Sequence, residues 1–436
     1  MAKFMLPSRL RPALAAILTS ALLAACGGGG SSASAPQNFK VFEGDGQVTV
    51  TWDQESDVEY WLFYAPTADL TLDSWKKITG AQAKVGDKGK GISSPYIVTG
   101  LTNGVVYDFI INGRKSGGEG GPGADAPAVT PRPAGGIWQA AKTSPATTMR
   151  SVAYGTNSDN STATFVAVGD GGKIYSSTDV PTYVGTSSWT AVSTAITATL
   201  NGAAYGLSKY IAVGEGGKIY YSSNTTTWTE GTTTTSQVQN LNAIVVPGSV
   251  AIAVGNQGTI VSSTDAASWT VQRSSGKDLF GVAYSASGLW VAVGADCTIV
   301  TSSDGATWTA ASVPGTCGTG TTLKGVAVMS TTATSTGYSY MAVGTGGTIL
   351  TSIDGTTWTA ASSPVTADLN AVAASTRFVA VGNAGTTLQT DANGAWQVIP
   401  SNTTTNAVTG SDNLYGLLRA TAAYIAVGSK TFYSYN

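Results

Sequence analysis

Histidine is absent from all 436 residues. That removes the side chain most often used as a general base near neutral pH, and the commonest metal-binding imidazole. Charge is also scarce. Asp, Glu, Lys and Arg make up 11% of the chain, and the net charge is −2. With no basic excess there is nothing to neutralise a phosphate backbone, so no nucleic-acid partner is expected. Any catalysis would have to rest on Asp, Glu, Tyr, Ser, Lys or the two later of the three cysteines, and neither a cofactor nor a metal is expected. No amphipathic helical pattern follows residue 30. Glycine, serine, threonine and alanine are plentiful, as suits a β-rich exported protein, and the length fits two or three domains.

The chain starts with a positive segment carrying Lys3, Arg9 and Arg11. An apolar stretch from Ala13 to Ala25 follows, too short for a stop-transfer helix. It ends in Leu23-Ala24-Ala25-Cys26, which resembles the signal of bacterial lipoproteins. The resemblance implies that residues 1–25 are a signal peptide and that Cys26 is lipidated and becomes the first mature residue. Each buried methylene contributes about 0.8 kcal/mol, so more than one acyl chain makes a stable membrane anchor. Gly27 stands where an Asp would favour inner-membrane retention, so the expected location is the outer membrane, facing the periplasm or the outside. Residues 26–35 read as a flexible Gly/Ser tether.

Residues 36–132 read as a β-sandwich. "QVTVTW" (Gln47–Trp52) alternates with period two, which puts Val48, Val50 and Trp52 on one face. "YWLFYA" (Tyr60–Ala65) and "VVYDFIING" (Val105–Gly113) are further strands. Pro36–Val41, Trp52 and "LTNGVVYDF" resemble a fibronectin type III domain, with Leu101 and Tyr107 at the family's leucine and tyrosine corner. Arg-Gly-Asp is absent, so integrin-type recognition is not implied, and a spacer role is expected.

Residues 137–436 repeat. Ala-Val-Gly recurs at Gly169, Gly214, Gly255, Gly294, Gly344, Gly382 and Gly428, at intervals of 38 to 50 residues. Each unit reads as four strands, the last beginning at a tryptophan: Trp138, Trp189, Trp228, Trp269, Trp308, Trp358 or Trp396. The two series are out of phase. Trp138 precedes any Ala-Val-Gly, and the chain stops soon after the last one. This predicts an all-β, seven-bladed β-propeller in which the strand around Trp138 completes the final blade, a closure that removes two open sheet edges. "TSSDGATW" (Thr301–Trp308) and "TSIDGTTW" (Thr351–Trp358) resemble the Asp-box, or BNR repeat, of sialidase-like propellers. Looser copies surround Asp179, Asp265 and Asp391, and Asn224 replaces the Asp in one. The whole repeat also resembles the seven-bladed photosystem II assembly factors. One copy per blade suits masonry rather than catalysis. Asp265, Asp304 and Asp354 are expected to hold a turn, and Trp308 and Trp358 to fill the space between sheets.

At the other end of each unit lies a position that varies. The first strands begin "MRSV", "LNGA", "LNAI", "LFGV", "LKGV", "LNAV" and "LYGL". Their first residue is apolar and their third is Gly, Ala or Ser, as a crowded axis requires. The second is Arg150, Asn201, Asn242, Phe280, Lys324, Asn370 or Tyr415. These residues, with Asp170 and Glu215 of the neighbouring turns, are the expected ligand-binding set at the channel mouth. Asn256 takes the matching turn position on the next blade. Cys297 replaces a turn glycine at the same end, and Cys317 follows in the crossover. After export the pair is expected to form a disulfide closing roughly twenty residues, worth on the order of 3 kcal/mol.

A sialidase would need three arginines clamping a carboxylate. Arg150, Arg273, Arg377 and Arg419 do not fall at equivalent inner positions, Arg-Ile-Pro is absent, and only Glu215 and Glu230 supply glutamates in the repeats. The expected function is therefore a monomeric, lipid-anchored binding or scaffold protein. Its propeller would recognise a glycan or an envelope protein. The alternative is a glycan-active hydrolase or lyase using an acidic pair such as Asp170 and Glu215.

Overall fold

The computed structural model describes residues 31–84, 91–133, 135–136, 138–158, 162–178, 188–235, 238–329, 339–375, 377–391, 394–399, 408–420 and 423–435. Cys26 and Asp179 lie outside them. The chain is all-β, and its only helical pieces among the described residues are single 3-10 turns.

The N-terminal part forms two antiparallel sheets. One holds Lys40–Glu43, Gln47–Thr51 and Tyr96–Thr99; the other is built around Glu59–Ala65 and Asp108–Lys115. The third expected strand begins at Asp108 rather than Val105. Before it the Val105 amide turns back to the Thr102 carbonyl, Tyr107 makes an isolated bridge to Val129, and the Tyr107 hydroxyl accepts the Thr102 amide at 3.2 Å. Val48, Val50 and Trp52 enter one core with Tyr60, Leu62, Phe109 and Ile111. The period-two pattern thus decides which residues the two sheets share.

Seven further sheets follow. Their first strands are Met149–Thr156, Leu200–Gly206, Leu241–Val245, Leu279–Tyr284, Leu323–Val328, Leu369–Ala374 and Leu414–Arg419. Within these sheets the strands pair antiparallel in chain order, save that the third gains a short fifth strand, Thr232–Thr233, parallel to Ser268–Ser274. The seventh takes its outer strand from the far end of the chain: Gln139–Ala140 pairs with Thr431–Tyr435, through Tyr433↔Gln139 and Phe432↔Ala140. Each first strand packs against the next, and the last of them packs against Met149–Thr156. The small third residues permit this approach. A Cβ on Gly281 would lie 3.2 Å from Gly325 Cα, and one on Gly416 would lie 3.0 Å from Ser151 Cα.

The tryptophans fill the gaps between sheets. Trp358, of the fifth sheet, packs with Val291 and Val293 of the fourth. Trp269, of the third, packs with Ile211 and Val213 of the second, and Trp138 packs with Val379 and Val381 of the sixth. Large apolar area thus goes into contacts between consecutive sheets, which is what lets short four-stranded units stand together. The Cys297–Cys317 disulfide, with Cα atoms 5.8 Å apart, lies in the core between the fourth and fifth sheets.

Candidate functional site

The aspartates after the third strands of the third, fourth and fifth sheets are bound into their turns. Asp354 Oδ1 accepts the amides of Thr356 and Thr357, each at 2.8 Å, and the Ser352 hydroxyl at 3.1 Å. Ser352 Oγ in turn accepts the Gly355 amide at 2.8 Å, and Trp358 Nε1 donates to the Gly355 carbonyl at 2.9 Å. Asp304 does the same with Ala306, Thr307 and Ser302, and Asp265 with Ala267, Ser268 and Ser263. These backbone donors hold all three carboxyls at about 2, well below their ordinary value. Trp358 is buried and Trp308 half-buried. Gly355, at φ +77°, has the left-handed backbone the turn requires.

The opposite ends of the strands carry the variable residues. Every first strand has a β-bulge at its second residue. The register breaks between Met149 and Ser151, Leu200 and Gly202, Leu241 and Ala243, Leu279 and Gly281, Leu323 and Gly325, Leu369 and Ala371, and Leu414 and Gly416. The residue skipped in each case is Arg150, Asn201, Asn242, Phe280, Lys324, Asn370 or Tyr415. A bulge frees one residue from the ladder and re-aims its side chain. The bonds formed show where these side chains go. Arg150 Nε meets Asp170 Oδ1 at 2.5 Å, Asn242 Nδ2 meets Asn256 Oδ1 at 2.8 Å, and Asn370 Nδ2 meets Asn383 Oδ1 at 2.8 Å. The bulge residues therefore share a rim with the turns between second and third strands. Glu215 lies in one of those turns and accepts the Thr199 amide at 3.3 Å.

The three asparagines are committed across sheet boundaries. Asn201 donates to the Leu241 carbonyl at 3.0 Å, Asn242 to Leu279 at 2.8 Å and Asn370 to Leu414 at 2.8 Å. Each acceptor starts the next sheet, so these amides act as staples. Lys324 Nζ reaches Asp368 Oδ2 and Asn370 Oδ1, both at 2.9 Å. The Gly346 amide and Lys324 together hold the Asp368 carboxyl below its ordinary range. Arg150 and Tyr415 are exposed, and Phe280 is half-buried. The other arginines belong elsewhere: Arg273 is in an outer strand, Arg377 donates to the Thr390 carbonyl, and Arg419 lies over the Tyr424 ring.

A second set of rim residues is also marked in the sequence. The residue just before each first strand is Thr148, Thr199, Asn240, Asp278, Thr322, Asp368 or Asn413, always short and polar. Asn240 accepts the Gly216 amide, Asp278 that of Gln257, Asp368 that of Gly346 and Asn413 that of Ala384, at 2.7 to 3.0 Å. Each therefore ties the turn of one sheet to the start of the next. Thr, Asn and Asp recurring at one repeat position was the clue.

No protein-family profile matches the chain, and no curated protein matches it either. Solved structures do. A structure described as YCF48 bound to D1 peptide is 16% identical, covers 69% of this chain and 95% of its own, and has a TM-score of 0.53. YCF48 from Cyanidioschyzon merolae is 13% identical, with 69% and 99% covered and a TM-score of 0.52. The WD40 β-propeller domain of Doa1 is 15% identical, with 68% and 96% covered and a TM-score of 0.50. At such identities the likeness speaks to architecture alone, and the architecture is a β-propeller.

Proposed function

We propose that the chain is a lipid-anchored cell-envelope binding protein. In this reading Cys26 carries the lipid and residues 36–132 are a fibronectin type III-like stalk; the tether expected over 26–35 does not extend through Ser31–Ser32, which pair with Lys115 and Arg114, nor Ala33, which is buried in the stalk's core. Residues 137–436 form a seven-bladed Asp-box propeller whose bulged rim recognises a partner protein. One observation carries the reading. A bulge recurs at the same place in all seven first strands, yet the residue it re-aims is Asn in three of them and Arg, Phe, Lys or Tyr in the other four. A purely structural position would be uniform, as the turn aspartates nearly are. The peptide bound by one of the similar propellers supports a protein partner. The enzymatic alternative is weaker, because Asp170 is bonded to Arg150 and Glu215 to a backbone amide.

The test is capture of envelope partners by the full chain and by a triple variant, Arg150→Ala, Lys324→Ala and Tyr415→Ala. The variant is expected to lose the specific partners while keeping its unfolding midpoint within a few degrees, a shift of roughly 1 kcal/mol or less. Unchanged capture would remove the rim from consideration.

A further inference from the structure

The rim's polar side chains are unequally available, and this narrows the partner. Resting on the rim reading above, we infer that the ligand is an extended peptide held by two large apolar or aromatic side chains, one at Phe280 and one at Tyr415. Three of the seven bulge residues are asparagines whose Nδ2 groups donate to the next sheet's carbonyls. Those amides are the groups that would otherwise read sugar hydroxyls. The two cations are each matched by a carboxylate, Arg150 by Asp170 and Lys324 by Asp368. A strongly anionic ligand would have to break those pairs.

The two aromatics remain. Tyr415 is 37% exposed and is among the exposed large hydrophobic residues of the described chain; Phe280 is half-buried. They stand three sheets apart, on the fourth and seventh, close to opposite sides of the ring. Each has a paired cation on the next sheet: Lys324 follows Phe280, and Arg150 follows Tyr415. Each aromatic is thus followed by a neutral ion pair on the next sheet's rim, Arg150 with Asp170 of its own sheet and Lys324 with Asp368 at the start of the sixth. An ion pair offers both a donor and an acceptor, which is what peptide N–H and C=O groups need. Aromatic side chains are also over-represented among the residues that dominate binding at protein interfaces. Two anchors on opposite sides require an elongated ligand, and an extended strand supplies about 3.3 Å per residue to span them.

A peptide array on a Gly/Ser scaffold tests this, with two tryptophans placed at increasing separation. Matched arrays carry two glutamates instead, and a panel of neutral oligosaccharides completes the probes. Binding to the full chain in mild detergent is expected to peak at one tryptophan separation. Phe280→Ala and Tyr415→Ala should each weaken it roughly tenfold or more, while Phe280→Leu and Tyr415→Phe keep most of the binding and so separate lost contact from lost fold. Asn242→Ala should lower thermal stability without moving the preferred separation. Preferential binding of the glutamate peptides or the oligosaccharides, indifference to both aromatic substitutions, or no bound peptide at all would overturn the inference. If the aromatic variants are silent while Arg150→Ala and Lys324→Ala abolish partner capture, the peptide anchors fall and the rim reading stands. If all four are silent, both fall.

Discussion

Asn224 occupies the place in its turn that Asp354 holds three sheets later, and the bonds are the same. Its Oδ1 accepts the amides of Thr226 and Thr227 at 3.1 and 2.9 Å, and the Ser222 hydroxyl at 3.2 Å. The turn therefore needs an acceptor oxygen, with charge as an addition. Asp354→Asn is expected to keep the fold at neutral pH, whereas Asp354→Ala should lose about 1–2 kcal/mol by leaving two turn amides without their acceptor. The two aspartate forms also differ in acid. The folded carboxyl sits at about 2, below its ordinary 3.8. Its contribution is complete above the unfolded value and disappears as pH falls through the folded one. Urea unfolding of Asp354→Asn should therefore show a weaker pH dependence between about pH 4 and 2 than the parent chain. An equal slope in the two proteins would refute that assignment.

The turn between second and third strands shows what an element demands of its sequence. Its last residue is left-handed: Gly172, Gly217, Gly258, Gly347 and Gly385 have φ between +66° and +74°, and Cys297 has φ +53°. A side chain there is strained, and on the order of 1 kcal/mol is the usual cost. The bond to Cys317 offsets it. Two cysteine variants separate these effects. Cys317→Ala should lose about 3 kcal/mol for a crosslink over this loop length. Cys297→Gly loses the same crosslink but also the strain, so it should lie about 1 kcal/mol above Cys317→Ala. Under reducing conditions Cys297→Gly should unfold at higher denaturant than the parent chain. If it unfolds at lower denaturant, the left-handed strain is not what separates the two variants.

At the scale of the molecule, the seventh sheet depends on residues nearly three hundred positions away in sequence. Gln139–Ala140 covers the edge of Thr431–Tyr435, and Trp138 packs beside them against Val379 and Val381. An uncovered strand edge is a template for association. A chain beginning at Lys142 should therefore aggregate and lose about 3–5 kcal/mol for the missing tryptophan alone. A chain beginning at Pro133 should stay monodisperse. Light scattering and denaturant unfolding of the two truncations check this, and similar behaviour of both would show that the covering strand is dispensable.

Much of this organisation was legible in the residues themselves. Period-two patterns marked the strands, Ala-Val-Gly and the tryptophans marked the repeat, and their phase offset pointed to the pairing of Gln139–Ala140 with the final strand. These features depend on local chemistry that every unit must satisfy, so they recur and can be read in one dimension. The second residue of each first strand was legible as a position that varies, but its role was not. Asn201, Asn242 and Asn370 looked like ligand-reading amides, and the tertiary structure sets each on a carbonyl 37 to 44 residues away. Every residue owns a carbonyl, so such an acceptor leaves no mark in the sequence. Only the approach of neighbouring sheets decides which one is within reach. That same approach, with a bulge at each strand start, separated the asparagines that staple neighbouring sheets from Tyr415, which stays exposed.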